Sequence, residues 1–535
     1  MSSAANTTSN AVSESIATLV DWAVSHGASL HPSVEVYHDV HTGLSFRVKP
    51  SAPAALPPDE PVVQLPTALT LSYLDAVSEK SSQSRKSQPR RDAAEHARVG
   101  RHVEPPLDPG ILSEAPPHVV GRLLLIREYL RGRESFWWPY IQSLPQPGPG
   151  NRHAWALAPF WDPDEAELLD GTNVEVGMAK IRRDVEREFA HARDLLPPPR
   201  AAGAAGAAGA AAASVLNADT LTADLYQWAY CIFSSRSFRP GLVLSDAQLR
   251  ALPAGVADDD FSVLLPLFDI GNHDMTAPVQ WHLDHERQLC ALRVGRAHRP
   301  GQQIFNNYSM KTNAELLLGY GFMVPTTDEL HNDYTHVRKR RASANADDQD
   351  QDQDREQQQQ RSHPSDEYLI SLRPLSHPST LLARARQSLR LDPSMPILPS
   401  FRHLQPEMVW DILCTLTTAQ QRRELMPPGP HASMNEADAD ADADADAESV
   451  LRHAFLAGQV PDPLMPYLQQ TLAIIQHQLL HELDRLTDTD VELVAGHATD
   501  LTPNQRLALD YRDRCKRVLV AVLEAMSEDH YLFDD

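Results

Sequence analysis

Near residue 375 the hydrophobic pattern of this chain changes character, and that change limits the architectures open to it. Before it, "EVYHDV" and "LSFRV" are short β-branched or aromatic runs on either side of a Gly turn. With "SVLLPLF" and "QLCALRV" they read as strands. Helical segments are interspersed. "VVGRLLLIREYLRG" has helical apolar spacing. "TADLYQWAYCIFSSRSF" opens on Thr222 as an N-cap and places Leu225, Ala229, Ile232 and Arg236 on one face. After residue 375 helical spacing takes over. Leu468, Leu472, Ile475 and Leu479 form one stripe. Pro503 starts a helix behind Thr502, and Tyr511, Cys515, Val518 and Val522 continue its apolar face. The fold expected is α+β, with a β-rich N-terminal domain carrying inserted helices and an all-α C-terminal domain.

Low-complexity stretches interrupt this pattern. Residues 201–214 are Ala/Gly, 338–363 are polar and charged, 436–449 are an Asp–Ala repeat, and 79–101 form a basic polar loop. None can bury a core, so each reads as a disordered tether. Of the formal charge of −24, Asp347–Glu356, with six acids and one Arg, and Glu436–Glu448, with seven acids and no base, account for 12. The remainder is mildly acidic and lacks the clustered Lys and Arg that a nucleic-acid partner requires. No run of eighteen apolar residues suggests a membrane span. The N-terminus has no basic region followed by an apolar one, as a secretory signal would. Cys231, Cys290, Cys414 and Cys515 are scattered without a CxxC pair. That disfavours a zinc ribbon or disulfide scaffold and fits a reducing compartment, cytoplasm or nucleus.

Three stretches carry chemistry. "FDIGNHDMTAPVQWHLDH" (268–285) is dense in Asp and His, but it lacks HExxH or comparable ligand spacing. It reads as a metal site or, better, as a polar loop after a buried strand. Arg236 ends a helix on its buried face, where a guanidinium needs an ion pair, with Asp269 as the candidate, or an anionic ligand. In "GQQIFNNYSMKTNAELLLGYGF" (301–322), Ile304–Tyr308 reads as a strand and Thr312–Gly319 as a short helix. Tyr308 and Tyr320 flank that helix as core residues or as walls of a pocket. GxGxxG, Walker and GxSxG motifs are absent.

Taken in order, these pieces resemble the SET-domain methyltransferases of the Rubisco large-subunit methyltransferase type. "DIGNHD" after "LLPLF" is similar to the family's D-x-x-N-H element. "IFNNYSMKTNAELLLGYGF" resembles its tyrosine strand and N-A-E-L helix, and "YQWAYCIFSSRSF" its W-A…S-R-x-F helix. "SFWWPYIQSLP", the pair "THVRKRR" and "EYLISL" split by the acidic insertion, and "DYRDRCKRVLVAVLEAM" also match. The resemblance covers about residues 30 to 530, insertions excepted. It implies an N-terminal segment (1–29), a knotted SET domain (30–337, insertions near 79–105 and 199–215), a disordered insertion (338–365) and a helical substrate-binding domain (366–535, with a disordered repeat at 428–449).

The resemblance implies S-adenosylmethionine as cofactor and a protein lysine as acceptor, with ribosomal or translation proteins ranked first. Tyr308 matches the catalytic tyrosine. Gly43, Leu44, Arg236, Asn272 and His273 match cofactor contacts. Phe238, Asp269, Trp281 and Tyr320 match the substrate side, and an apolar residue at 238 fits lysine better than histidine. No metal is implied. Thr42 and Ser45 stand where the family usually has an acid and a second Gly, and Ser309 stands where Gly or Asp is common. The alternatives are a SET scaffold without turnover, acting as a protein-binding module, and a metallohydrolase built on the Asp/His run.

Overall fold

The computed structural model describes residues 2–77, 107, 109–148, 150–197, 215–327, 332–338, 367–372, 401–426, 442–456, 460–491 and 501–527. The tethers expected at 79–101 and 201–214, and all of the one expected at 338–363 except Arg338, which ends a strand, lie outside these residues. They divide into two compact units. One comprises Met1–Phe160, Ile181–Met310 and Gly319–Gly321; the other comprises Trp161–Lys180, Lys311–Leu318 and Phe322–Asp535.

In the first unit the chain folds back at Gly43, whose φ of +71° favours glycine. Asp39 secures the turn by accepting from the backbone N–H groups of His41 (2.9 Å) and Thr42 (3.0 Å). The result is an antiparallel hairpin of β2 (Val34–Asp39) and β3 (Gly43–Val48), in register from Val34↔Val48 to Asp39↔Gly43. Phe46 and Val48 face the core and are fully buried. A short strand, β10 (Gln303–Ile304), pairs with the other edge of β3. Four further strands are ordered β1-β4-β9-β8, namely Ser29–Leu30, Pro61–Pro66, Leu289–Val294 and Val279–Asp284. A third small sheet sets β7 (Val263–Leu264) between β5 (Leu71–Ser72) and β6 (Ser237–Phe238).

The strand expected across "SVLLPLF" is therefore only two residues long. Pro266 has no N–H to continue a ladder. Leu267 follows at φ +73°, and Phe268–Ile270 forms a 3₁₀ turn. Likewise, of the expected Ile304–Tyr308 strand only Ile304 joins a ladder, together with Gln303 before it. Asn306 instead makes a parallel bridge to His273, so the segment changes partners within two residues.

The helix Ala223–Arg236 begins as expected, with Thr222 Oγ1 accepting from Leu225 N at 3.2 Å. It is buried on more than the one stripe read from its spacing. Tyr226, Trp228, Cys231 and Phe233 are buried along with Ala229 and Ile232. The reason is that it packs on the helix Pro117–Arg131 as well as on β6 and β7. Gly121 admits the Phe233 ring, whose Cζ lies 3.4 Å from where a Cβ would stand.

In the second unit the helices Met465–Asp488 and Pro503–Ser527 pack together. Leu468, Leu472, Ile475 and Leu479 of one, and Tyr511, Cys515, Val518 and Val522 of the other, are buried as their spacing implies. Arg512 is buried among them. It donates to the carbonyls of Leu486 (2.7 Å) and Asp170 (2.6 Å) and pairs with Asp490 at 2.8 Å. It thereby satisfies carbonyls that the end of a helix leaves open. Strands β11 (Tyr334–Arg338) and β12 (Glu367–Ser371) pair antiparallel across the long acidic insertion, from Tyr334↔Ser371 to Arg338↔Glu367. The Asp–Ala repeat differs from its expected tether, because Asp442–Leu456 is helical. Its alternate alanines supply high helix propensity. No described helix is long and apolar enough to cross a membrane.

Candidate active site

Six consecutive residues, the 3₁₀ turn Phe268–Ile270 and the three that follow it, Gly271–His273, organise the candidate site within the first unit. Phe268 meets Trp281 of β8 with ring centroids 5.3 Å apart, and Trp281 in turn meets Phe238 at 5.1 Å. Asp269 accepts from Arg236 Nη1 at 3.2 Å and from the Tyr140 hydroxyl at 3.1 Å. The Gly271 carbonyl accepts the Tyr308 hydroxyl at 2.8 Å. Asn272 donates to Leu44 O at 3.1 Å and to Ser45 Oγ at 2.6 Å. His273 Nδ1 accepts the Tyr308 backbone N–H at 3.0 Å. All ten residues singled out in the sequence are brought together around this segment.

The local chain path explains the arrangement. Residues 272–274 and 306 exchange backbone bonds, from Asn306 N to Asn272 O (2.7 Å) and from Asp274 N to Asn306 O (2.9 Å). A Cβ at Gly271 would stand 3.1 Å from Asn306 Cβ, so glycine permits this close approach. Asn307 donates to the carbonyls of Met275 (3.0 Å) and Ala277 (3.2 Å) and fixes the next residue, Tyr308. Tyr308 is then held between two rings. His273 stacks at 4.9 Å with an interplanar angle of 14°, and Tyr320 stacks at 5.1 Å and 25°. Tyr320 ends the helix Asn313–Tyr320.

The electrostatics follow from burial. Desolvation is the largest influence on the Tyr308 phenol and raises its pKa well beyond the ordinary tyrosine value, so it is neutral at physiological pH. Because Nδ1 of His273 accepts an N–H, its ring hydrogen resides on Nε2. Burial opposes the charge on Arg236, but Asp269, Tyr140 and Tyr308 outweigh it and raise the guanidinium pKa. Arg236 therefore stays cationic with a quarter of its side chain (26%) exposed, while Asp269 beneath it is 2% exposed.

The rest of the Asp/His run goes elsewhere. His282 is exposed on β8, and Asp284 holds the β8–β9 turn by accepting from Glu286 N (3.1 Å) and Arg287 N (3.0 Å). Asp274 caps Thr276 at 2.8 Å. Among the described residues, no three His, Cys, Asp or Glu side chains converge as metal ligands do.

No family model matches the chain. In three dimensions it superposes on Rubisco LSMT solved with AdoMet, with a TM-score of 0.52 at 17% identity, covering 97% of this chain and 93% of the other. The chain carries the SET fold of the Rubisco methyltransferase. In sequence it is similar to the ribosomal lysine N-methyltransferase set10 of Schizosaccharomyces pombe, 28% identical over 39% of this chain and 32% of that one. It is also similar to the chloroplastic Rubisco large-subunit N-methyltransferase of Pisum sativum, 25% identical over 46% and 42% respectively. The chain spans a third to a half of the length of the curated relatives it matches.

Two participants escaped the sequence reading. Tyr140, which shares Asp269 with Arg236, lies in "SFWWPYIQSLP", where no spacing distinguishes it from a core aromatic. Gln303 donates to Thr42 Oγ1 (3.0 Å) and Ser45 Oγ (2.9 Å), a contact that sequence separation conceals.

Proposed function

We propose that this protein transfers a methyl group from S-adenosylmethionine to the ε-amine of a lysine in a protein substrate. The observation that carries the reading is Tyr308, neutral, stacked between His273 and Tyr320, with its hydroxyl hydrogen committed to the Gly271 carbonyl. That commitment leaves the oxygen lone pairs to face a reacting amine.

The donor set suits the cofactor. Arg236 offers a partly exposed cation for a carboxylate. Asn272 has spent both N–H bonds on Leu44 and Ser45, so its carbonyl Oδ1 is what it can offer an ammonium or amino group. Gly43 has open space where a Cβ would stand, so a ligand can approach the backbone there. When bound, S-adenosylmethionine supplies an electrophilic methyl on a sulfonium.

The acceptor lysine must be neutral to attack, and deprotonating a free lysine at pH 7 costs about 4–5 kcal/mol. Desolvation of the amine at the site lowers that cost by disfavouring the ammonium, although the faces of the surrounding rings pull the other way. Tyr308 does not serve as a phenolate base, because burial keeps its proton on. Its part is to orient the amine by accepting a hydrogen bond, so that nucleophile, methyl and sulfur are collinear. Tyr320, Phe238 and Trp281 are placed to hold the aliphatic stem, and the apolar ring at 238 supports lysine over histidine as acceptor.

A ribosomal or translation protein is the substrate class we favour, supported by the name of the S. pombe relative. Labelled S-adenosylmethionine incubated with the protein and a cell extract, followed by acid hydrolysis, tests the reading. Methyl-lysine is expected; methyl-histidine, or no cofactor binding by calorimetry, would overturn it.

A further inference from the structure

Ser45 is fully buried, and its hydroxyl is saturated. Oγ lies 2.6 Å from Asn272 Nδ2, 2.9 Å from Gln303 Nε2, 3.0 Å from Thr42 Oγ1 and 3.1 Å from Gly43 O. A hydroxyl has one hydrogen to give and two lone pairs to receive. Here the two carboxamides fill the lone pairs, and the hydrogen goes to Gly43 O or Thr42 Oγ1. Asn272 is equally committed. Its second N–H goes to Leu44 O, which can only accept, so the carboxamide cannot turn over without losing that bond. Ser45 thus adds one shared contact among three pieces that also touch directly: the turn at Thr42–Gly43, strand β10 through Gln303, and the segment that carries Asn272.

We infer that Ser45 is a positioning residue, which fixes the Asn272 carboxamide and the Gly43–Leu44 backbone in the arrangement that receives the cofactor. The inference rests on the reading of this site as the S-adenosylmethionine site. A glycine or alanine at 45 would leave a carboxamide N–H of Asn272 short of an acceptor in a half-buried place, while Gln303 would keep its bond to Thr42 Oγ1. Asn272 would then be free to rotate and offer its N–H groups, rather than Oδ1, to the ligand. Serine where the resemblance suggests glycine is therefore a built-in brace and does not weaken the loop.

The test is calorimetric titration of S-adenosylmethionine into the full chain and its Ser45→Ala, Ser45→Gly, Asn272→Ala and Ser45→Ala/Asn272→Ala variants, with thermal midpoints measured without cofactor. Ser45→Ala and Ser45→Gly are expected to weaken binding about tenfold. Because Ser45 acts through Asn272, adding Ser45→Ala to Asn272→Ala is expected to change the dissociation constant by less than about twofold. Additive losses, or wild-type affinity in both Ser45 variants, would overturn the positioning role while leaving the methyltransferase reading intact. A wild-type chain that binds no S-adenosylmethionine would overturn both.

Discussion

Tyr308 donates its hydroxyl hydrogen to the carbonyl of Gly271 across 2.8 Å, bridging segments 37 residues apart in the chain. This single contact fixes where the phenol oxygen lies and which way its hydrogen points. It also ties the oxygen to the same six-residue segment that holds Arg236 through Asp269 and β3 through Asn272. Phenol, cation and loop are therefore set by one piece of backbone.

The buried tyrosines make stability sensitive to alkali. Burial raises the pKa of Tyr308, Tyr140 and Tyr511 above the ordinary value, so the folded chain holds these protons more tightly than the unfolded chain does. Their contribution is complete below the unfolded value near pH 10 and is lost as pH rises beyond it. The thermal midpoint is expected to be flat with respect to these groups up to about pH 9.5 and to fall above about pH 10. Tyrosinate absorbance should show these three phenols ionising only with unfolding; an early, reversible ionisation of Tyr308 would be inconsistent with the geometry.

Asp269 is the shared acceptor for Arg236 and Tyr140. Asp269→Ala strands a partly buried guanidinium and a buried hydroxyl. The expected loss is on the order of 3 kcal/mol, the lower end for breaking a buried pair because Arg236 keeps some exposure. Asp269→Asn preserves an acceptor and should lose less. Chemical denaturation of the two variants gives the comparison.

Ser309 follows the catalytic candidate at φ +77°, in the left-handed region. A side chain there carries a strain of roughly 1–2 kcal/mol that glycine avoids. Its backbone N–H is bonded to Asn307 Oδ1 at 2.9 Å, and this bond survives substitution. Ser309→Gly is expected to raise stability by about 0.5–1 kcal/mol, part of the gain being offset by glycine's greater freedom when unfolded. Thermal unfolding checks it.

Much of this was legible in residues whose partners are near in sequence or whose period is long. The β2–β3 hairpin followed from its Gly turn, the Thr222 cap from its position, and the two long C-terminal helices from their stripes. The β11–β12 pairing across the acidic insertion was expected only from the family resemblance. What escaped is non-local or broken by a single residue. Tyr140 reaches Asp269 across 129 positions, and Gln303 reaches Ser45 across 258. Ser45 looked like a departure because its partners are invisible without the fold. The strand at "SVLLPLF" was overextended because apolar composition continues past Pro266 while the ladder cannot. The Asp–Ala repeat was read by its charge, whereas from Asp442 its alanines prevail.

The measurement that bears most directly on the central claim compares wild type with Tyr308→Phe in methyl transfer from labelled S-adenosylmethionine to lysine in extract proteins, with cofactor affinity determined alongside. Removing the hydroxyl deletes the group that orients the amine and leaves both ring stacks. The account predicts that kcat falls on the order of a hundredfold while the dissociation constant of the cofactor stays within about threefold. Equal transfer by the two proteins would contradict the role assigned to Tyr308 and, with it, the mechanism.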